Sequence, residues 1–360
     1  MARIITKLPK SMRAWQISSF GDNSVLQLNE NANVPSISRP DQLIIKVRAC
    51  SMNPVDILMR QGYANKLIHA NYGKQGIWPL TLGRDFSGEI VDIGRSVRRF
   101  KIGDQVWGTC QPFGPGSHAE YTAALQHEVA SKPNSLSHIQ ASSLPHVTVT
   151  TYAALANRAG LNATNTMGKR VLILGGSGGV GTIAVQLIKC WGGTVVTTCS
   201  NDAVELMKSL NADKIIDYHS EDAWNEMKEH GLYDVIFDTV GGKNEKHALP
   251  LVNSKGTYVS IQTPIVKKMD KRGIAAGAAI SGVEFVKKAL FQNLKRDSCY
   301  SWAIGFGNGL ALEDVTSLID NGKIKPIIKR VFNFNEVQDA YEYLESGHAR
   351  GKIVIDQSGD

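Results

Sequence analysis

What this 360-residue sequence lacks narrows its class before any motif is read. No apolar run approaches the ~20 residues that cross a bilayer as a helix, so an integral helical membrane protein is not expected. The five cysteines (Cys50, Cys110, Cys190, Cys199, Cys299) are scattered, odd in number and include no C-x-x-C pair. A disulfide framework and a cysteine zinc site are therefore not expected, and a reducing compartment fits. Acids are missing from residues 1–21, which carry Arg3, Lys7, Lys10 and Arg13. With Ile4, Ile5 and Leu8 this start fits a short mitochondrial targeting segment or a frayed basic terminus, and both readings stand. Elsewhere bases and acids are interspersed and no aromatic-basic motif appears. Nucleic acid therefore does not explain the net charge of +7.

Apolar content of 42% and charged content of 20% are those of an ordinary globular enzyme, and the length suggests two domains. The organising stretch is RVLILGGSGGVGTIAVQLIKCW, residues 170–191. Arg170 to Leu174 reads as a buried strand, and an amphipathic helix runs to about Trp191. Between them Gly175, Gly178 and Gly181 stand in a G-x-x-G-x-x-G spacing. Glycines let the backbone approach a pyrophosphate, and the helix N-terminus offers unpaired N–H groups and partial positive charge. Ser177 adds a hydroxyl at the tip.

Before this stretch, residues 12 to about 146 read as a β-rich domain of twisted, partly closed sheet. Tyr63 to Trp78 looks like a long loop whose His69, Tyr72 and Trp78 either line an apolar substrate pocket or pack the loop down. Residues 135–160 read as two short helices leading to the cofactor domain. After the glycine turn, strands at 194–199, 214–217, 235–240 and 256–262 alternate with helices at 202–210 and 223–229. That rhythm implies a parallel, doubly wound sheet. A Lys-rich excursion over 263–298, with a helix at 283–295, offers a surface for a protein partner. A strand near 300–306, helices at 313–321 and 335–346, and strands at 327–332 and 352–355 follow.

An NAD site carries an acid at the end of the second strand, on the ribose hydroxyls. Here Cys199-Ser200 ends that strand, so NADPH is expected, with Ser200 and Tyr218 as donors. Asp202, two residues on, would argue for NAD if it faced inward. His348, Arg350 and Lys352 are candidate cations for a 2′-phosphate if the last strand returns to the cleft; otherwise they form a solvated basic turn.

Several segments now resemble one family. NPVD (53–56), PLTLGRDFSGEIVDIG (79–94), FKIGDQVWG (100–108), GSHAEY (116–121), TTYAAL (150–155), the glycine turn and GHARGKIVI (347–355) are similar to the medium-chain dehydrogenase/reductase superfamily, in its zinc-free quinone oxidoreductase branch. The likeness runs over about residues 12–356. It implies an α/β fold: a GroES-like catalytic domain over 12–146, completed by 307–357, and a Rossmann domain over 147–306. It further implies hydride transfer from NADPH to a quinone or conjugated carbonyl. Other implications are a homodimer joined through the strand near 300–306 and, for the branch most resembled, a mitochondrial enzyme tied to ubiquinone synthesis. A cytoplasmic location is the alternative. Carried across, Ser177, Gly179, Val180, Ser200, Tyr218, His348, Ala349 and Arg350 touch NADPH, Gly241 lies beside its nicotinamide half, and Asn53 and Thr150 face the nicotinamide.

Zinc-dependent relatives place a cysteine ligand near Asn53 and a Gly-His-Glu where Gly83-Arg84-Asp85 stands here, and Asn, Arg and Asp do not suit zinc. No metal is expected, and hydrogen bonds must polarise the substrate carbonyl. The tyrosine that many quinone oxidoreductases carry five residues after the Asn is Leu58, which leaves Tyr63 or solvent as proton donor. Asn53 is otherwise an Asx turn before Pro54, Asp56 a structural acceptor, and Arg84 with Asp85 a structural pair. Rival functions are a 2-enoyl thioester reductase and a cofactor-binding scaffold.

Overall fold

The computed structural model describes residues 8–73, 76–347 and 349–358. The basic start up to Lys7 and the predicted cofactor residue His348 lie outside the described residues.

Chain order begins with strands: β1 (Ser11–Ile17), β2 (Leu26–Asn33) and the long β3 (Gln42–Met52). Two helices, α1 (Pro54–Arg60) and α2 (Asn65–Tyr72), precede β4 (Leu80–Thr81), β5 (Asp85–Ile93), β6 (Gln105–Thr109), β7 (Tyr121–Leu125) and β8 (Val129–Ser131). Helices α3 (His138–Ser142) and α4 (Pro145–Tyr152) lead to the glycine-turn unit, β9 (Arg170–Leu174) and α5 (Gly179–Cys190). The βα alternation continues through β10 (Thr194–Cys199), α6 (Val204–Ser209), β11 (Lys214–Asp217), α7 (Ala223–Glu229), β12 (Tyr233–Asp238), α8 (Asn244–Ala248) and β13 (Val252–Ser260). A helical hairpin, α9 (Ile265–Arg272) and α10 (Ile274–Arg296), precedes β14 (Cys299–Trp302). The chain closes with α11 (Gly309–Asp320), β15 (Ile328–Asn333), α12 (Val337–Glu345) and β16 (Lys352–Asp356).

Six parallel strands, in the order β11-β10-β9-β12-β13-β14, form the doubly wound sheet. The order reverses at β9, and the glycine turn sits at the carboxyl end of that strand, where such sheets bind ligands. β9 is apolar from Val171 to Leu174, and both faces of the sheet are packed in apolar cores. The second sheet, β15-β16-β3-β5-β6-β8 with β7 also on β3, draws strands from both ends of the chain. β16 runs antiparallel to β3 with Ile353 opposite Met52. Its core packs β3, β5 and β6 side chains against Phe332, Phe334 and Tyr341. The fold is thus the expected α/β combination of a GroES-like sheet and a Rossmann sheet.

Three local expectations need correction. Residues 63–78 are not one long loop: Asn65–Tyr72 is helical, with Ile68 buried beneath it. Only that residue of the helix is fully buried, so no apolar stripe announces it. The Lys-rich excursion is two helices, broken where Gly273 takes φ +88, which a side chain would resist. The strand expected near 300–306 stops at Trp302, and Ala303 to Gly307 turn into the cleft instead.

Candidate functional site

A cleft of about 640 Å3 runs from the glycine turn to the first turns of α1 and α2. Gly178, Gly179, Val180 and Gly181 form one end; Asn53, Leu58, Tyr63 and Thr150 stand with them on its walls. The last strand does return to it. Gly351 N–H donates to the Ser177 carbonyl at 3.1 Å, a β-bridge joins Gly178 to Gly351, and Ala349 lines the wall.

The glycine turn fits a dinucleotide. A Cβ on Gly181 would lie 2.2 Å from the Gly175 carbonyl, so only glycine closes the turn this tightly. A Cβ on Gly178 would meet nothing nearer than 3.7 Å, which leaves that side open for a phosphate. Gly175 takes φ +86 and Gly241 φ +73, both positions that favour glycine. The first intrahelical bond of α5 runs from Thr182 N–H to the Gly178 carbonyl at 2.9 Å. The amides of Gly179, Val180 and Gly181 precede that bond and can face an anion.

Ser200, Asp202 and Arg350 form a second corner beyond β10. Ser200 Oγ donates to Asp202 Oδ1, and Arg350 Nη2 donates to the same oxygen at 3.4 Å, with Nε 3.3 Å from Asp202 Oδ2. These two bonds and the Arg350 charge hold the Asp202 carboxyl below its usual range. Asp202 therefore does face the corner expected to hold only neutral side chains, and an inward acid is the arrangement that favours NAD, but its charge is paired with Arg350. Tyr218 is exposed, with its amide on the Cys199 carbonyl at 3.2 Å.

The cleft floor is a closed polar network. Pro54 starts α1, and Asn53 N–H donates to Asp56 Oδ2 at 2.8 Å, as a helix-capping residue pair does. Asn53 Nδ2 donates to Asp85 Oδ2 at 2.8 Å, and Asn53 Oδ1 accepts from Lys352 Nζ at 2.6 Å. Lys352 also donates to the Met52 carbonyl at 2.7 Å and pairs with Asp85 at 3.1 Å. Asp85, with no exposed surface, takes further bonds from Ser51 Oγ at 2.7 Å and His146 N–H at 2.6 Å. Burial pushes the Asp56 carboxyl up to about 6, against the pull of Arg84. Burial raises the Tyr63 phenol, and the Asp270 charge adds to the effect, so Tyr63 stays protonated near neutrality.

Several assignments change accordingly. Lys352 does not reach the Ser200–Asp202 corner; its ammonium turns into the floor. Arg84 and Asp85 are not a pair with each other. Arg84 stands 3.9 Å from Asp56 and donates to the carbonyls of Gln111 and Gly114 at 2.6 and 3.2 Å. His69, Tyr72 and Trp78 are not among the cleft-lining residues. Trp78 packs edge-on to Phe20, 4.9 Å between ring centroids, and Ala64 and Leu67 line the wall instead. Phe113, Val266, Met269 and Phe306, which no motif singled out, complete an apolar lining.

A metal does not fit this floor. Asn53 and Asp85 are already bonded to a buried ammonium, which a divalent cation would have to displace. Among the described residues no group of three His, Cys, Asp or Glu side chains is placed to hold an ion.

Two family descriptions match the chain: an alcohol dehydrogenase GroES-like domain over residues 39–134 and a zinc-binding dehydrogenase over residues 210–355. The NAD(P)H oxidoreductase RTN4IP1, mitochondrial, of Danio rerio is 42% identical over 96% of this chain and 91% of its own length. The Homo sapiens protein of that name is 42% identical over 98% and 91%. A 2-methylene-furan-3-one reductase of Solanum lycopersicum is 34% identical over 97% and 80%. Among solved structures, the quinone oxidoreductase of Coxiella burnetii superposes with a TM-score of 0.80 at 32% identity, covering 96% of this chain and 99% of that one.

Proposed function

The chain belongs to the medium-chain dehydrogenase/reductase superfamily, and from that premise we propose an NADPH-dependent, metal-free reductase of quinones or conjugated carbonyls. The observation that carries the reading is the single cleft that joins an open glycine turn to an apolar wall bearing one phenol, Tyr63. A reduced nicotinamide supplies the hydride when bound. The amides of Gly179, Val180 and Gly181, with Ser177, hold the pyrophosphate. Ser200 and Arg350 take the 2′-phosphate, with Arg350 released by Asp202. Thr150 and the locked amide of Asn53 border the nicotinamide. Tyr63 delivers the proton to the reduced substrate oxygen, while Leu58, Phe113 and Phe306 exclude water from the reacting face.

The relatives' names support a mitochondrial location; a quinone of ubiquinone synthesis is the substrate proposed there. β14 is the outer strand of the cofactor sheet, and its free edge suits a homodimer. The test is NADPH oxidation with a panel of benzoquinones, naphthoquinones and enones. Steady turnover with at least one acceptor, faster with NADPH than with NADH, is the expected result. Binding of NADPH without turnover of any acceptor would overturn the enzyme reading in favour of a scaffold.

A further inference from the structure

The helical hairpin α9–α10 combines two properties that no step of catalysis needs. First, α10 leaves an apolar stripe uncovered. Ile280, Val283, Val286, Leu290 and Leu294 recur at intervals of three and four residues and are 45, 57, 51, 55 and 78% exposed. The buried residues of the helix, Gly277, Ser281 and Gln292, lie on its other side. Second, the hairpin holds eight basic and two acidic residues in a chain whose whole net charge is +7.

Both acids are already partnered. Asp270 accepts the amides of Ala64 and Lys66 at 2.8 and 3.0 Å. Glu284 is bound by Lys268 and stands 3.3 Å from Lys288. The six other cations, Lys267, Lys271, Arg272, Lys287, Lys295 and Arg296, are exposed. Lys287 lies four residues after Val283 and three before Leu290, within the stripe itself.

An exposed apolar stripe on a hairpin that carries six exposed cations, one of them within the stripe, is complementary to a membrane surface carrying anionic headgroups. Among the described residues no helix is long and apolar enough to cross a membrane, so α10 would lie along the surface. We propose that the α9–α10 hairpin docks this protein on an anionic lipid surface. The hairpin's other helix lines the cleft through Ile265, Val266 and Met269, so docking brings the substrate cavity to the bilayer. Supply of a lipid-borne quinone from there rests on the function proposed above; the docking itself does not.

The full chain would be floated with vesicles of phosphatidylcholine alone and of phosphatidylcholine mixed with phosphatidylglycerol, without cofactor or substrate. Binding to the mixed vesicles only, weakened by added salt, is expected. Leu290→Glu with Leu294→Glu, and separately Lys287→Glu with Lys295→Glu, should each lower that binding roughly ten-fold or more. Both variants should keep the wild-type rate with a short, water-soluble quinone, which separates a failure of docking from a failure of the reductase reading. Wild-type protein that stays with the unbound fraction on mixed vesicles would overturn the proposal. So would variants that float normally but sediment as monomers where the wild type is a dimer, since the stripe would then join two copies of this chain.

Discussion

Lys352 Nζ donates to Asn53 Oδ1 at 2.6 Å, and Asn53 Nδ2 donates in turn to Asp85 Oδ2 at 2.8 Å, although Asn53 and Lys352 lie 299 residues apart. The three side chains are buried, and Lys352 is the cation paired with the Asp85 carboxylate. Replacing Lys352 by Met would leave the Asp85 carboxylate without its cation in a site that water does not reach. Breaking a buried pair in this way costs about 3–5 kcal/mol, whereas removing both charges costs far less. Chemical denaturation should therefore find Lys352→Met strongly destabilised, and Lys352→Met with Asp85→Asn largely restored. Additive losses would mean that the two charges do not depend on each other.

The two ends of the glycine turn should respond differently to one methyl group. At Gly181 the added Cβ meets backbone at 2.2 Å and must distort the turn, so Gly181→Ala should lower the melting temperature as well as cofactor affinity. At Gly178 the backbone is extended at φ −75 and the space is open. Gly178→Ala should fold normally and lose affinity alone, by about ten-fold or more, because the methyl occupies the side on which a phosphate would approach. Thermal shift with and without NADPH distinguishes the two.

Much of this was legible in the chain, and the rest was not, for physical reasons. The strand Arg170–Leu174 and the βα alternation follow from local periodicity; the structure has that strand, Thr194–Cys199 and Lys214–Asp217 at the expected residues and starts the next two strands two and four residues earlier, at Tyr233 and Val252. Asn53, Tyr63 and Thr150, named from separate segments, line one cleft. The fate of Lys352 depends on β16 pairing with β3 in a register that puts Ile353 opposite Met52, which no local pattern encodes. A lysine opening an apolar strand was the one available signal. Arg84 and Asp85 looked like a pair because they are adjacent, yet Arg84 finds its acceptors in the Gln111–Gly114 turn and Asp85 in the β3–β16 floor. Helix α2 escaped notice because its sequence, NKLIHANY, buries only Ile68.

Cofactor choice should turn on Arg350. Its guanidinium is shared with Asp202, 3.3 Å from Nε. A 2′-phosphate would compete for it as a doubly charged partner, which ribose hydroxyls cannot do. Arg350→Ala should reduce kcat/KM for NADPH by about 10- to 100-fold and leave NADH nearly unchanged. Asp202→Ala frees the guanidinium and removes a like charge, so it should shift the ratio further towards NADPH. Equal losses for both cofactors in Arg350→Ala would show that the residue holds the fold of the last strand instead.

His118 makes a prediction about acid. Its ring is fully buried against Tyr341, ring centroids 5.7 Å apart, and burial with the nearby Arg84 charge lowers its pKa to about 3 from 6.5. A histidine whose folded value lies below its unfolded value stabilises fully above the unfolded value and progressively less as pH falls towards the folded one. The window is therefore from 6.5 down to about 3. Asp56 and Glu128 act oppositely: burial raises them to about 6 and about 7, so they favour the folded state as pH falls through those values. The histidine is best isolated by substitution. His118→Gln should be less stable than the wild type near neutrality, yet lose about 2 kcal/mol less between about pH 7.5 and about pH 5. Urea titrations at the two pH values measure it, and parallel losses in both proteins would mean that His118 is charged in the folded state or exchanges with solvent before unfolding.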